Sequence, residues 1–248
     1  MASLAIIGGS GLARMEGLEV TRREMVKTPF GAPSCPLIFG KFAGKDVVFL
    51  ARHGSTHRIP PHRINYCANI WALHSVGINQ IIAIGAVGGI SDDCKTGSLV
   101  VPDQLIDYTV GRQNTFFDGG SEPVKHIDFS YPYDNALRNA LISGAKKTDG
   151  VSLLEDGTVG VTQGPRLETA AEIKRLKQDG CSVVGMTSMP EAALARELEI
   201  AYAACMVVVN PAAGVDGKAI DHDALFQTID EAMINARNVL QNTLPLLG

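Results

Sequence analysis

The sequence predicts a three-layer α/β domain built on a central, mixed β-sheet, and two observations carry that prediction. Short apolar runs bounded by turn residues recur along the chain: LAIIG, DVVFLA, IIAIGAVGG, SLVVPDQLI, CSVVGM and MVVVN. They are rich in β-branched residues and apolar at successive positions, as strands covered by helices on both faces require. Helical patterns fall between them at 65–75, 134–148, 168–177, 190–197 and 223–244, and this alternation is the α/β signature. At 248 residues the chain can bury a large core; it is read as one domain over residues 1–248, because no repeat, linker or low-complexity segment divides it.

The first strand, LAIIG, runs into Gly8, Gly9, Ser10 and Gly11. Backbone N–H groups in such a turn, with the Ser hydroxyl, can cradle an anion; a plain glycine turn is the other reading. A dinucleotide fingerprint is not met, since Leu12-Ala13-Arg14 follows where GxGxxG would continue into a helix. The second strand, DVVFLA, delivers Arg52 and His53 at its end, with His57, Arg58, His62 and Arg63 crowded behind. An arginine fork at a strand end matches the oxygens of a phosphate dianion, so phosphate is the expected ligand and a solvated basic loop the alternative. The three histidines have no nearby Asp or Glu and no regular spacing, which argues against a metal.

Residues 111–132 are the longest stretch without periodicity, and Phe116, Phe117, His126 and Phe129 make it unusually aromatic. A subunit contact or lid and a locally packed Ω-loop are both open readings. In TQGPRLET, Gly164-Pro165 ends a strand and Glu168 stands at the start of the helix 168–177, whose buried stripe is read as Ala170, Ile173 and Leu176, with Glu172, Lys174 and Arg175 outward. VVGMTSMPEA sets Met186, Thr187 and Ser188 between a strand and a helix begun by Pro190 with Glu191 beside it. Free N–H groups and a hydroxyl there suit an anion or a sugar, and simple N-capping is the alternative. The last strand ends at Asn210, which Pro211 holds extended; Ala212 and Ala213 offer no polar side chain.

Composition narrows the partners. A net charge of −4 shows no basic excess for nucleic acid. Cys35, Cys67, Cys94, Cys181 and Cys205 are odd in number and never paired as CxxC, so they read as reduced thiols. The start MASLAIIGGSG lacks a signal-peptide pattern and no run reaches membrane-spanning length, so a soluble cytoplasmic protein is expected.

In combination, GGSGL, TPFGAPS, ARHGSTHRIPPHRINYCANIWAL, GAVGGI, QNTFFDG, GPRLETAAE, GMTSMPEAALARE and the strand ending at Asn210 resemble the nucleoside phosphorylase family that includes methylthioadenosine phosphorylases and trimeric purine nucleoside phosphorylases. The resemblance spans nearly the whole chain. It implies a distorted central sheet, phosphate-dependent cleavage of a purine nucleoside with inorganic phosphate as co-substrate and no cofactor or metal, and a homotrimer with sites at subunit borders. By position it implies a phosphate site of Ser10, Arg52, His53, Thr187 and the backbone at Gly85 and Ala86. Met186 resembles the residue beneath the ribose, Leu167 one that presses on the base, and His126 one that reaches a neighbour's 5′ pocket.

Base recognition departs from the adenine-specific branch, which has Ser-Ser or Ser-Thr where this chain has Glu168-Thr169, and Asp-Tyr-Asp where it has Asn210-Pro211-Ala212. A 6-oxopurine presents an N1–H donor and an O6 acceptor. An ionised Glu168 accepts from N1–H and the Asn210 amide donates to O6 or N7, whereas adenine would set the Glu168 charge against the N1 lone pair. TPFG and ARHG…NYCANIWAL resemble the methylthio branch, so the combination points to S-methyl-5′-thioinosine, cleaved to hypoxanthine and 5-methylthioribose 1-phosphate. A methylthioadenosine or a general inosine/guanosine phosphorylase is the alternative. At the start of the last helix His222, Asp223, Leu225 and Phe226 stand where small apolar residues usually line the 5′ pocket. His222 is read either as a hydrogen-bond partner of a 5′-hydroxyl or as an exposed histidine at a helix start.

Overall fold

The computed structural model describes residues 2–119, 123–218 and 222–247; the side chains of 222–227 and 231 lie outside that description. In chain order the strands are β1 (Leu4–Gly8), β2 (Glu19–Glu24), β3 (Leu37–Phe42), β4 (Lys45–Ala51), β5 (Gln80–Gly89), β6 (Leu99–Val100), β7 (Gln104–Asp107), β8 (Leu153–Leu154), β9 (Thr158–Val161), β10 (Val183–Gly185) and β11 (Ala201–Pro211). The helices are α1 (Tyr66–Ser75), α2 (Asn135–Lys146), α3 (Ala170–Gln178), α4 (Ser188–Glu197) and α5 (His222–Thr243). All described strands join one mixed sheet, flanked by helices.

The sheet forks at β5. Along one edge β5 pairs in parallel with β11 from Gln80 to Gly89. Along the other it pairs in parallel with β1 only as far as Ala83, and partners resume at Gly88 with antiparallel β10. Between those points the edge of β5 has no strand beside it, and unpaired backbone groups there need other partners. Glycines permit the crossing: a Cβ on Gly8 would stand 2.3 Å from the Leu12 carbonyl, and one on Gly89 would stand 2.1 Å from the Cys94 carbonyl. From the fork, β10, β9 and β7 extend one limb in parallel, while β6 and β8 extend the other from β11.

Every apolar run becomes strand, but SLVVPDQLI is not continuous: Pro102 divides β6 from β7, because proline cannot donate to a ladder. The exposed β2 and short β8 and β9 carry too weak an apolar pattern to be read from sequence. Helix α1 is buried nearly all round, and its N-cap Asn65 and its Asn69 bind the backbone at Phe30 and Ser34, pinning the TPFGAPS segment. Helix α5 packs the stripe Ile229, Ala232, Met233, Ala236 and Leu240 on the core. It meets α2 so closely that a Cβ on Gly144 would stand 2.1 Å from the Thr243 hydroxyl.

Helix α3 begins later than expected. Thr169 is its N-cap and forms a reciprocal capping box with Glu172, whose carboxylate also takes both arms of Arg166 at 2.7 and 2.8 Å. Arg166 first, then the Thr169 N–H, hold the Glu172 carboxyl down at about 2. Ala170, expected in the buried stripe, is exposed as the first residue of the helix, and Ile173 and Leu176 alone of that set face the core. Replacing Thr169 by Ala is expected to lower unfolding free energy by about 1 kcal/mol, as loss of a helix N-cap does; equilibrium urea denaturation checks this, and an unchanged midpoint would deny the cap that role.

Candidate active site

The carboxyl ends of parallel β1, β4, β5 and β11 converge on a cavity of about 170 Å³, lined also by β10 and by the 167–168 segment. In open α/β sheets this is where ligands bind. Ser10, Arg52, His53, Gly85, Ala86, Leu167, Glu168, Met186, Thr187, Asn210 and Ala212 all line it. Pro211, expected among the contacts, pairs with Gly89 as the last residue of β11, between Asn210 and Ala212, which line the cavity.

Gly85 and Ala86 line the cavity where the edge of β5 has no strand beside it. Part of that edge is already used, since the Ile84 carbonyl accepts from Arg52 Nη1 at 3.1 Å. Gly9 passes beneath the guanidinium so closely that its Cβ would lie 3.0 Å from Nη1. Ser10 follows, its hydroxyl 3.0 Å from His57 Nε2, and His57 is held at φ 52°, in the left-handed region.

Arg52 requires a correction. The fork expected to grip phosphate grips Glu191: Nε donates to Oε2 at 2.6 Å and Nη2 to Oε1 at 2.8 Å, with both residues buried. Tyr202 donates to the same Oε1 at 2.9 Å. Burial would lower the Arg52 pKa, but the Glu191 charge and hydrogen bonds outweigh it, so the guanidinium is held charged. Three of its five donors are thus engaged, leaving one on Nη1 and one on Nη2. Glu191, read from sequence as an acid of a helix's first turn, is the counter-charge beneath the cavity; a separation of 139 residues hid the pair.

His53 Nδ1 lies 2.8 Å from the Ile59 carbonyl, which only accepts, so Nδ1 carries the proton and Nε2 of the neutral ring is an acceptor. Burial, then the Arg52 charge, push its pKa down to about 4. A neutral acceptor beside a charged donor suits an anion that still bears an O–H, such as hydrogen phosphate. The His53 and His57 rings lie 4.6 Å apart, and among the described residues no three His, Cys, Asp or Glu side chains come together as metal ligands.

Thr187 precedes α4 but makes no side-chain cap, so its hydroxyl is not spent on the helix; Ser188 is buried. Glu168 stands before the N-cap of α3 and is likewise free of helix duty; its Oε1 accepts from the Thr162 hydroxyl at 2.5 Å. Asn210 Nδ2 donates to the Pro211 carbonyl at 2.5 Å and keeps a second N–H. His126 is exposed and stands outside its own chain's cavity. The side chains of His222, Asp223 and Phe226 lie outside the described residues.

Arg112 was missed altogether. It donates to the carbonyls of Met186 and Met189 at 2.8 and 2.5 Å, of Thr162 and Gln163 at 3.2 and 2.9 Å, to Gln163 Oε1 at 3.2 Å and to Tyr66 Oη at 3.2 Å. One side chain from the long aperiodic segment thus fixes two walls of the cavity. The same segment is pinned by buried Glu197, which accepts from Thr115 Oγ1 at 2.6 Å and the Phe116 N–H at 2.8 Å.

A histidine titrates at 6.5 when unperturbed and at about 4 in this fold, so the unfolded chain binds more protons between those values. Stability without phosphate is therefore expected to fall as pH drops through that window, by roughly 3 kcal/mol at its end, and then to level off. His53→Gln should flatten that part of the profile; equal slopes in variant and parent, measured by urea denaturation, would mean that His53 is not held neutral. Arg112→Met should destabilise by about 3 kcal/mol, since several carbonyls lose a charged donor, and thermal melting at fixed pH checks it.

The chain is similar along nearly its whole length to known phosphorylases. The chain is 51% identical over 244 residues to the probable S-methyl-5′-thioinosine phosphorylase of Pseudomonas syringae pv. tomato, covering 98% of this chain and 99% of that one. It is 44% identical to the 6-oxopurine nucleoside phosphorylase of Pyrococcus furiosus, over 100% of this chain and 94% of that one. Methylthioadenosine phosphorylase from Schistosoma mansoni in complex with adenine superposes with a TM-score of 0.90 at 30% identity, over 99% and 92% of the two chains. Residues 3–245 match the Phosphorylase superfamily, and the chain belongs to it.

Proposed function

We propose that this protein cleaves S-methyl-5′-thioinosine with inorganic phosphate, giving hypoxanthine and 5-methylthioribose 1-phosphate, and that it needs no cofactor or metal. The observation that carries the reading is Glu168. It is a carboxylate at the cavity wall, held by a hydroxyl and not consumed by a helix cap or by Arg166, which is engaged with Glu172. Asn210 lines the same cavity, and the neighbouring Pro211 and Ala212 bring no second carboxylate. That pair complements the N1–H and O6 of a 6-oxopurine. The names borne by the Pseudomonas syringae and Pyrococcus furiosus relatives support the same base.

In the reaction, Ser10, Thr187, the open edge of β5 at Gly85 and Ala86, and the free donors of Arg52 hold hydrogen phosphate, whose O–H faces Nε2 of His53. A phosphate oxygen forms a bond to C1′ as the C1′–N9 bond breaks, and the bonding pair leaves with the purine, which takes up one proton to become hypoxanthine; the proton given up by hydrogen phosphate balances it. Fixing phosphate beneath C1′ removes the entropy of a bimolecular encounter. The Asn210 amide stabilises charge growing at O6 or N7. Met186 lies under the ribose and Leu167 against the base. His222, Asp223 and Phe226 are assigned to sugar selectivity.

The protein is further proposed to be a single-domain cytoplasmic homotrimer in which His126 enters a neighbour's sugar pocket. Val110, just before the aperiodic segment that carries His126, and Val124 and Tyr131 on it are exposed by 76%, 59% and 72%, as a face awaiting a second copy would be. No helix among the described residues is long and apolar enough to cross a membrane. A 6-oxopurine phosphorylase indifferent to the 5′ substituent is the second reading, supported by the Pyrococcus furiosus relative.

Phosphorolysis of methylthioinosine, inosine and methylthioadenosine, compared by kcat/KM, separates these readings. Methylthioinosine is expected to lead; equal rates with inosine would favour the second reading, and a lead by methylthioadenosine would sink the Glu168 assignment. Glu168→Ser should lose about 10- to 100-fold on the 6-oxopurine nucleosides.

A further inference from the structure

We infer that Thr162 is a specificity-positioning residue, whose hydroxyl holds one oxygen of the Glu168 carboxylate so that the other is presented to the purine edge. The inference rests on the 6-oxopurine reading of the site.

Thr162 follows β9, and its main chain is fixed from two sides. Its N–H donates to the Gly185 carbonyl at 2.8 Å, extending the β9–β10 ladder by one step, and its own carbonyl accepts from Arg112 Nη2 at 3.2 Å. Its single hydroxyl proton has two acceptors within reach, Glu168 Oε1 at 2.5 Å and the Gly185 carbonyl at 3.4 Å. The charged, nearer oxygen takes it. The hydroxyl is thus a fixed donor across the base of the loop that carries Gly164, Pro165 and Leu167. Gly164 keeps that loop close to the cavity floor: at φ 63°, a Cβ there would stand 2.5 Å from Met186 Sδ.

A carboxylate on a loop has rotamer freedom, and without an anchor it would reach for the nearest cation. That cation is Arg166, two residues away. Both of its arms, however, are held by Glu172, and Nη1 also donates to the Leu167 carbonyl at 3.1 Å. Glu172 therefore takes the carboxylate-directed hydrogen bonds of Arg166, whose charge still acts on Glu168 without a hydrogen bond, and Thr162 supplies Glu168 with a neutral donor. A neutral donor to one oxygen orients the group without removing the acceptor that a purine N1–H needs.

The test compares Thr162→Val, close in shape but without the hydroxyl, and Thr162→Ala with Thr162→Ser, which keeps it. KM for methylthioinosine and KM for phosphate are measured separately, each with the other substrate saturating, and the wild-type preference for methylthioinosine over methylthioadenosine is recorded in parallel. Thr162→Val and Thr162→Ala are expected to raise the nucleoside KM about tenfold while leaving the phosphate KM unchanged, and Thr162→Ser should restore the parent value. In a Glu168→Ala background Thr162→Val should add no further loss, since the hydroxyl then has no carboxylate to hold. An unchanged nucleoside KM in both hydroxyl-free variants, an equal rise in both KM values, or a full effect persisting without Glu168 would overturn the assignment. A wild type that prefers methylthioadenosine would instead overturn the 6-oxopurine reading itself, whatever Thr162 does.

Discussion

The site depends on one break in β-pairing. Between Ala83 and Gly88 one edge of β5 has lost β1 and not yet gained β10, so the sheet opens a gap in its own middle. Backbone groups at such an edge must find partners that are not strands. Arg52 supplies one from the end of β4, at the Ile84 carbonyl, and Gly85 and Ala86 continue from there along the cavity. A guanidinium this deeply buried is tolerable only with a counter-charge, and Glu191 provides it with two hydrogen bonds while Tyr202 satisfies a further lone pair. The ion pair joins the end of β4 to α4 across the gap, and so ties the wall bearing Arg52 and His53 to the helix that follows Met186 and Thr187.

On the opposite wall two acids four residues apart do different work. Glu172 closes the capping box and occupies Arg166, whereas Glu168 stands one residue outside the helix and faces the cavity. Had Glu168 been the first-turn acid, its charge would have been spent on backbone N–H groups. The separation of roles follows from where Thr169 starts the helix.

Arg112 connects the walls. Its donors go to backbone carbonyls on the segment after β9 and on the segment around Met186, and both are thereby held relative to a loop that has no regular structure of its own. The exposed apolar side chains of that loop lie on the surface, while Phe116 and Phe129 pack against the core.

The sequence by itself determined the fold class, the apolar runs that become strands, the positions of the helices within a few residues, and the placing of glycines, Arg52, His53, Thr187 and Asn210 at strand ends and of Glu168 at a helix entry. Those features are local: side-chain periodicity, turn residues and strand termini are written within a few neighbouring positions. Pro102 was local too, and its break in SLVVPDQLI was legible but unread. Only the tertiary structure decided which way the Arg52 fork points, that β5 divides the sheet, that Pro211 belongs to the ladder, and that Thr162 holds Glu168 while Arg112 ties the walls. These are choices of hydrogen-bond partner between residues brought together by packing, as Arg52 and Glu191 are across 139 positions. Sequence spacing carries no trace of such choices until the sheet has formed.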